Sequence, residues 1–393
     1  MRRKRNALAG LLALALASAS AAVAAWAISS NGGGYVKAVS VPQGSTPTKA
    51  ITTWPNVAVS WAAVTVGGGT ADSYTIRRYL EAGAVQTILA NCSGAITVLT
   101  CTENTVPVGR WHYTTQPKKG ANWLGVESAK TSTIAIVAAP SSLSCTSCST
   151  FGGQTKYINL AGKAAVSLSM ILAATSLASD TVNLSLTDTV PTAVNNTTAA
   201  SAGAGTVSPA ALDTTTLIDG VVTASARLNA NTGDLSPATT LALIRDVVVP
   251  SAADIRGNNG GTAGTIADGD SVTYTFSEAP DPASIKTSWT GTSTAVSVDI
   301  TNNGSADAVT VTGTNLGGVN TAANYVAANR TCGTSTMVLA GSDVTVTFGG
   351  CTGLMRTGIV TSLFIWTPTA TMKDQAQNPM SVTARTATAL SRF

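Results

Sequence analysis

The sequence predicts an all-β protein: three tandem β-sandwiches behind an N-terminal signal peptide. Three observations carry this expectation. From residue 46 onward, apolar and polar residues alternate at period two through many short runs, as half-buried strands require. Clusters of Gly, Pro, Asn, Asp and Ser separate those runs and supply turn chemistry. No long amphipathic helical pattern interrupts them.

The chain has 393 residues, of which 11% are charged, against about 25% in ordinary soluble proteins. Thr, Ser, Ala, Gly and Val fill the difference. Pro- and Ser-rich joints near residues 140 and 250 divide the chain. The expected organisation is a signal peptide at 1–27, a flexible linker at 28–45, and sandwiches at 46–140, 141–249 and 250–393.

The leader opens "MRRKRNALAG", with Arg2, Arg3, Lys4 and Arg5 ahead of an Ala/Leu-rich run. Small-residue sites of the A-x-A type follow at Ala22–Ala24 and Ala25–Ala27, the form of a secretory signal. The alternative is a retained anchor, because Ala7–Ile28 is long enough to span a bilayer. Alanine is a weak membrane residue, so cleavage and export are expected. Without the leader's four basic residues the chain carries 19 basic against 19 acidic residues. The pI of 8.7 therefore belongs to the leader and gives no reason to expect nucleic-acid binding. The membrane is expected as a partner only through an uncleaved N-terminus.

In the first block, "VAVSWAAVT" sets Val57, Val59 and Trp61 on one face, Gly67–Gly69 makes a turn, and "SYTIRRYL" alternates Tyr74, Ile76 and Arg78 with Thr75, Arg77 and Tyr79. About seven short strands in about 100 residues is the count of an immunoglobulin-like sandwich. On Trp61, "DSYTIRRY" and "VPVGRWHYTTQPKKGANWLGVES", the block resembles a fibronectin type III domain of actinobacterial secreted proteins. Trp111 stands where that family usually has its corner tyrosine.

In the second block, Val166, Leu168, Met170 and Leu172 alternate, as do Val182, Leu184 and Leu186. "TTTLIDGVVTASARLNANTGDLSPATTLALIRDVVVPSA" resembles the closing half of bacterial immunoglobulin-like repeats, matching at Asp219–Gly220 and Asp246 and departing at the "NANTGD" turn. In the third block, Val272, Tyr274 and Phe276 alternate. "FSEAPDPASI", with Asp374 and Asn378 late in the chain, resembles the immunoglobulin-like module of bacterial surface-layer and adhesin proteins, with Gln377 in place of the usual glycine.

Six cysteines fall two per block. In "SCTSCST" the C-x-x-C pair Cys145 and Cys148 lacks a second such pair or nearby histidines for a zinc site. It also lacks the helix-opening setting of a redox motif. In an exported chain the remaining reading is a staple. Local pairing is the natural expectation: Cys92–Cys101, Cys145–Cys148 and Cys332–Cys351.

Catalytic and cofactor chemistry are not expected. No G-x-S-x-G elbow, P-loop or complete G-x-G-x-x-G is present. His112, the single histidine, reads as a solvent-facing strand residue. "ADGDS" at 267–271 and "EAPDP" at 278–282 could lend oxygens to calcium, but neither has the twelve-residue loop spacing, and turn chemistry accounts for both. No metal site is expected. Trp54 and Trp123 lie in loop-like contexts and either offer platforms to a sugar or cover the ends of the sandwich core. The functional expectation is a non-catalytic protein, secreted or on the cell surface, that spaces, adheres or builds matrix, with an unknown cell-surface, glycan or protein partner. The alternatives are a carbohydrate-binding accessory protein, and a matrix-fibre subunit, which the leader ending "AAWAISSNGGG" resembles.

Overall fold

The computed structural model describes residues 39–393; the leader and the start of the linker lie outside them. The described chain is all-β apart from one four-residue helix, Pro282–Ile285. Three separate hydrophobic clusters form its cores.

The first core sits between a three-stranded sheet (Thr48–Thr53, Asn56–Ser60, Thr100–Glu103) and a second sheet led by Ile134–Ile136, Gly109–Lys119 and Ser73–Leu80. Period-two alternation sends Val57, Val59, Trp61, Tyr74 and Ile76 inward. Arg78 follows in the same inward register. Its Nη1 donates to Glu103 Oε1 at 2.6 Å and its Nη2 to the Thr87 carbonyl at 2.9 Å. The Tyr113 hydroxyl donates to Glu103 Oε2 at 2.7 Å, and the Leu89 N–H donates to Oε1. Burial first, then the Glu103 charge, pushes the Tyr113 phenol well above its usual range. The Arg78 guanidinium lies 4.5 Å from the Trp111 ring centroid, a cation–π contact.

Trp111 also makes the corner contact. Its Nε1 donates to the Pro107 carbonyl, four residues upstream, at 2.9 Å. A corner tyrosine makes this kind of bond through its hydroxyl; here an indole N–H does so.

The second core lies between Ser142–Cys145, Leu168–Leu172 and Gly205–Val207 on one side and a six-stranded sheet on the other. In that larger sheet Thr155–Ile158 runs parallel to Thr239–Arg245. Val166, Leu168, Met170, Leu172, Val182, Leu184 and Leu186 all point into this core.

The third unit differs from a sandwich of two separate sheets. Nine antiparallel strands form one sheet from Ala252–Asn258 to Arg385–Thr386. It curls until those two end strands lie beside each other, so both walls of the core belong to one ladder. Trp366 packs edge-on against Tyr274 and Phe276 at 5.2 and 5.1 Å. Gly257 permits the closure, because a Cβ there would meet the Phe364 ring at 2.4 Å.

The cysteines pair as Cys92–Cys101, Cys145–Cys148 and Cys332–Cys351. Cys145 ends a strand of the smaller second sheet and Cys148 precedes Ser149–Phe151 of the larger one. The "CTSC" bond thus staples the chain where it crosses between the two walls of one sandwich.

Two predictions follow from these contacts. Glu103→Leu strands a buried guanidinium and should cost about 3–5 kcal/mol in denaturant unfolding, while adding Arg78→Met should recover most of the loss. Replacing Cys332 and Cys351 by alanine opens a loop of sequence separation 19 and should cost about 3 kcal/mol; the same change at Cys145 and Cys148, separation 3, should cost about 2.

Candidate functional site: the two joints between sandwiches

The first joint forms where one strand serves two cores. Ile134 and Ile136 face the first cluster, while Ala135 and Val137 face the second. Arg110, next along the paired strand, reaches across. Its Nη2 donates to Asp180 Oδ1 at 2.6 Å and its Nη1 to Asn231 Oδ1 at 2.8 Å. Asp180 also accepts from the N–H groups of Leu177 and Asn231. Asp234 of the "NANTGD" turn accepts from the Ala135 N–H at 2.8 Å. That turn is therefore a docking element for the preceding sandwich.

The second joint centres on Asn378, which is 1% exposed. Its Oδ1 accepts from the Leu160 N–H at 2.7 Å, and its Nδ2 donates to the Asp246 carbonyl at 2.9 Å and to Asp374 Oδ2 at 2.8 Å. Its own N–H donates to Asp374 Oδ1. Around this clamp, Ser149 Oγ donates to the Ala376 carbonyl at 2.7 Å and the Tyr157 hydroxyl reaches Gln375 Oε1 at 3.4 Å. Gln377, at the usual glycine position, takes a left-handed φ of 72°, and its Nε2 donates to Asp281 Oδ2 at 2.8 Å.

Asp246, Glu278 and Asp374 meet beside the clamp, each offering a carboxylate oxygen within 4.8 Å of the others. Burial, then the charges of Asp246, Asp374 and Asp219, push the Glu278 carboxyl up to about 7. Burial and the charge of Asp374 raise Asp246, and burial raises Asp374. Asp219 is held by the Arg245 guanidinium at 2.6 Å. Calcium takes six to eight oxygens; this cluster has three carboxylates, and both oxygens of Asp374 are engaged by Asn378.

Other residues singled out in the sequence lie apart. Asp268 accepts from the distant Cys351 N–H, and Asp270 accepts from the Gly260 N–H and, as turn chemistry, from the Ala267 N–H. His112 is half-buried, with Nδ1 at 2.7 Å from the Thr131 carbonyl, which corrects the expectation of a solvent-facing residue. Trp54 packs on the first core and its Nε1 donates to the Val137 carbonyl at 3.1 Å. Trp123 is 37% exposed. Val137 follows the residue paired with Gly109, at one end of the long strand, and Trp123 pairs with Lys119 at the other. The two indoles are thus separated by roughly 30 Å of strand and form no common platform.

No family model matches the chain, and no curated protein matches it. Among solved structures it is similar to the FN1–FN3 domains of chicken CNTN1, with 9% identity over 81% of this chain and 98% of that one and a TM-score of 0.23. It is also similar to a two-domain fibronectin type III segment of chicken tenascin, with 12% identity over 51% of this chain and 98% of that one and a TM-score of 0.26. Likenesses at this level carry no functional argument. Among the described residues the protein is an all-β chain whose sheets enclose three separate hydrophobic cores.

Asn378→Ala leaves the Leu160 N–H and the Asp246 carbonyl without their partner and should cost about 1–3 kcal/mol. Limited proteolysis should then cut near residues 246–252 sooner than in the parent.

Proposed function

We propose that this chain is a non-catalytic exported protein that works as a spacer at a cell surface or in an extracellular matrix. The observation that carries the reading is the pair of closed joints. Each is built from several polar contacts, most of them part-buried, between neighbouring units, as a chain of set reach needs and a string of freely jointed domains lacks. Three disulfides, one in each unit, suit an oxidising compartment. The absence of a charge excess after the leader limits non-specific attraction along such a spacer. No helix among the described residues is long and apolar enough to cross a membrane, so attachment would fall to the leader or to a partner.

An open groove of 620 Å³ at the second joint, lined by Phe151, Pro280, Pro282 and Leu339 among others, has no titratable lining residue. That suits binding better than proton-transfer chemistry. The glycan reading rests on Trp123 alone, whose ring borders a 330 Å³ depression with Asp72, Lys119 and Asn122. Trp123→Ala should abolish glycan capture if that reading holds; capture unchanged by the substitution excludes this ring as the platform.

The test of the spacer reading is intact mass of the native protein from medium and from membranes, with thiol labelling before and after reduction. A shortened mass and six thiols labelled only after reduction are expected. Free thiols in the native protein, or turnover of an added substrate, would overturn it.

A further inference from the structure

We propose that the joint between the second and third units is proton-controlled: it stays docked while the Glu278 carboxyl, which faces Asp246 and Asp374, is protonated, and it loosens when that carboxyl ionises. The inference concerns the fold and stands whether or not the chain serves as a spacer.

The geometry carries it. Asp246 follows the last strand of the second unit, whereas Glu278 and Asp374 belong to the third, so like charges face one another across a joint. Glu278 Oε1 is buried and has no hydrogen-bond partner. A buried carboxylate oxygen without a donor is costly, and a protonated carboxyl is the cheaper form. The charges acting most strongly on Glu278 are Asp246, Asp374 and Asp219, all negative. The Arg245 guanidinium, at the end of the second unit's last strand, is engaged by Asp219 and the Thr214 carbonyl. The Tyr157 hydroxyl, which feels Asp246 and Asp374, is aimed at Gln375. Asn378 binds the backbone carbonyl of Asp246 and the carboxylate of Asp374, so the clamp and the cluster share two residues.

The sign is set by linkage. Glu278 binds its proton more tightly when docked than when free, so its contribution is fully present below the ordinary carboxyl value of 4.5 and is lost as pH rises through about 7.

The test is small-angle scattering of the full mature chain between about pH 5 and pH 9 in buffer with EDTA, with the midpoint of any size change read against pH. We expect the wild-type protein to loosen with a midpoint near pH 7, Glu278→Gln to stay docked throughout, and Asp246→Asn to shrink the size change by weakening the repulsion that forces the joint open. A size independent of pH, or an unchanged midpoint in Glu278→Gln, overturns the proposal. Docking that follows added calcium at fixed pH, with no response to pH in its absence, also overturns it and makes the cluster a cation site.

Discussion

Side chains on a β-strand point alternately to two faces, and a strand lying between two cores can therefore serve both. Ile134 to Val137 does this, sending isoleucines into one unit and Ala135 and Val137 into the next. The rest of the architecture depends on this constraint. Because the strand belongs to two cores, the first joint cannot swivel without withdrawing apolar surface from one of them. Arg110 and Asp234 then find fixed partners across the joint, since the strand has already set the approach of the two units.

Charges are few in this protein, and several of them are spent inside it. Arg78 and Glu103 bridge the two walls of the first core; Arg110 and Asp180 bridge the first two units; Arg245 and Asp219 brace the end of the second. A buried pair adds little stability over an apolar substitute, but losing one partner is expensive. Such pairs therefore penalise wrong packings more than they reward the right one. The second joint uses amide chemistry in place of a guanidinium. Asn378 donates and accepts at once, which a charged side chain cannot do, and so it binds a carbonyl, an N–H and a carboxylate from different segments.

Much of the fold was legible along the chain. Val57–Trp61, Tyr74–Arg78, Val166–Leu172 and Val272–Phe276 face inward as their period-two alternation requires, because alternation is a local property of an extended backbone. The curled single sheet of the third unit was not legible, since sheet order is a matter of pairing between distant strands. Trp54 covers the first core, one of the two roles its sequence context allowed, but its hydrogen bond and that of His112 were not legible for a related reason. Each is bonded to a backbone carbonyl distant in sequence, Thr131 and Val137, and no spacing pattern records such a contact. Arg110, Asp180 and Leu160 gave no signal at all.

The sequence by itself determined the all-β class, the inward face of each major strand and the separate presence of Asp246, Glu278, Asp374 and Asn378, because composition and alternation act within a few residues. Only the tertiary structure decided that these four meet at one joint, and that Asn378 ties together the segments on which they lie. Their proximity depends on how the loops of two neighbouring units are brought together, and that arrangement is set by the packing of whole sheets rather than by any local run of residues.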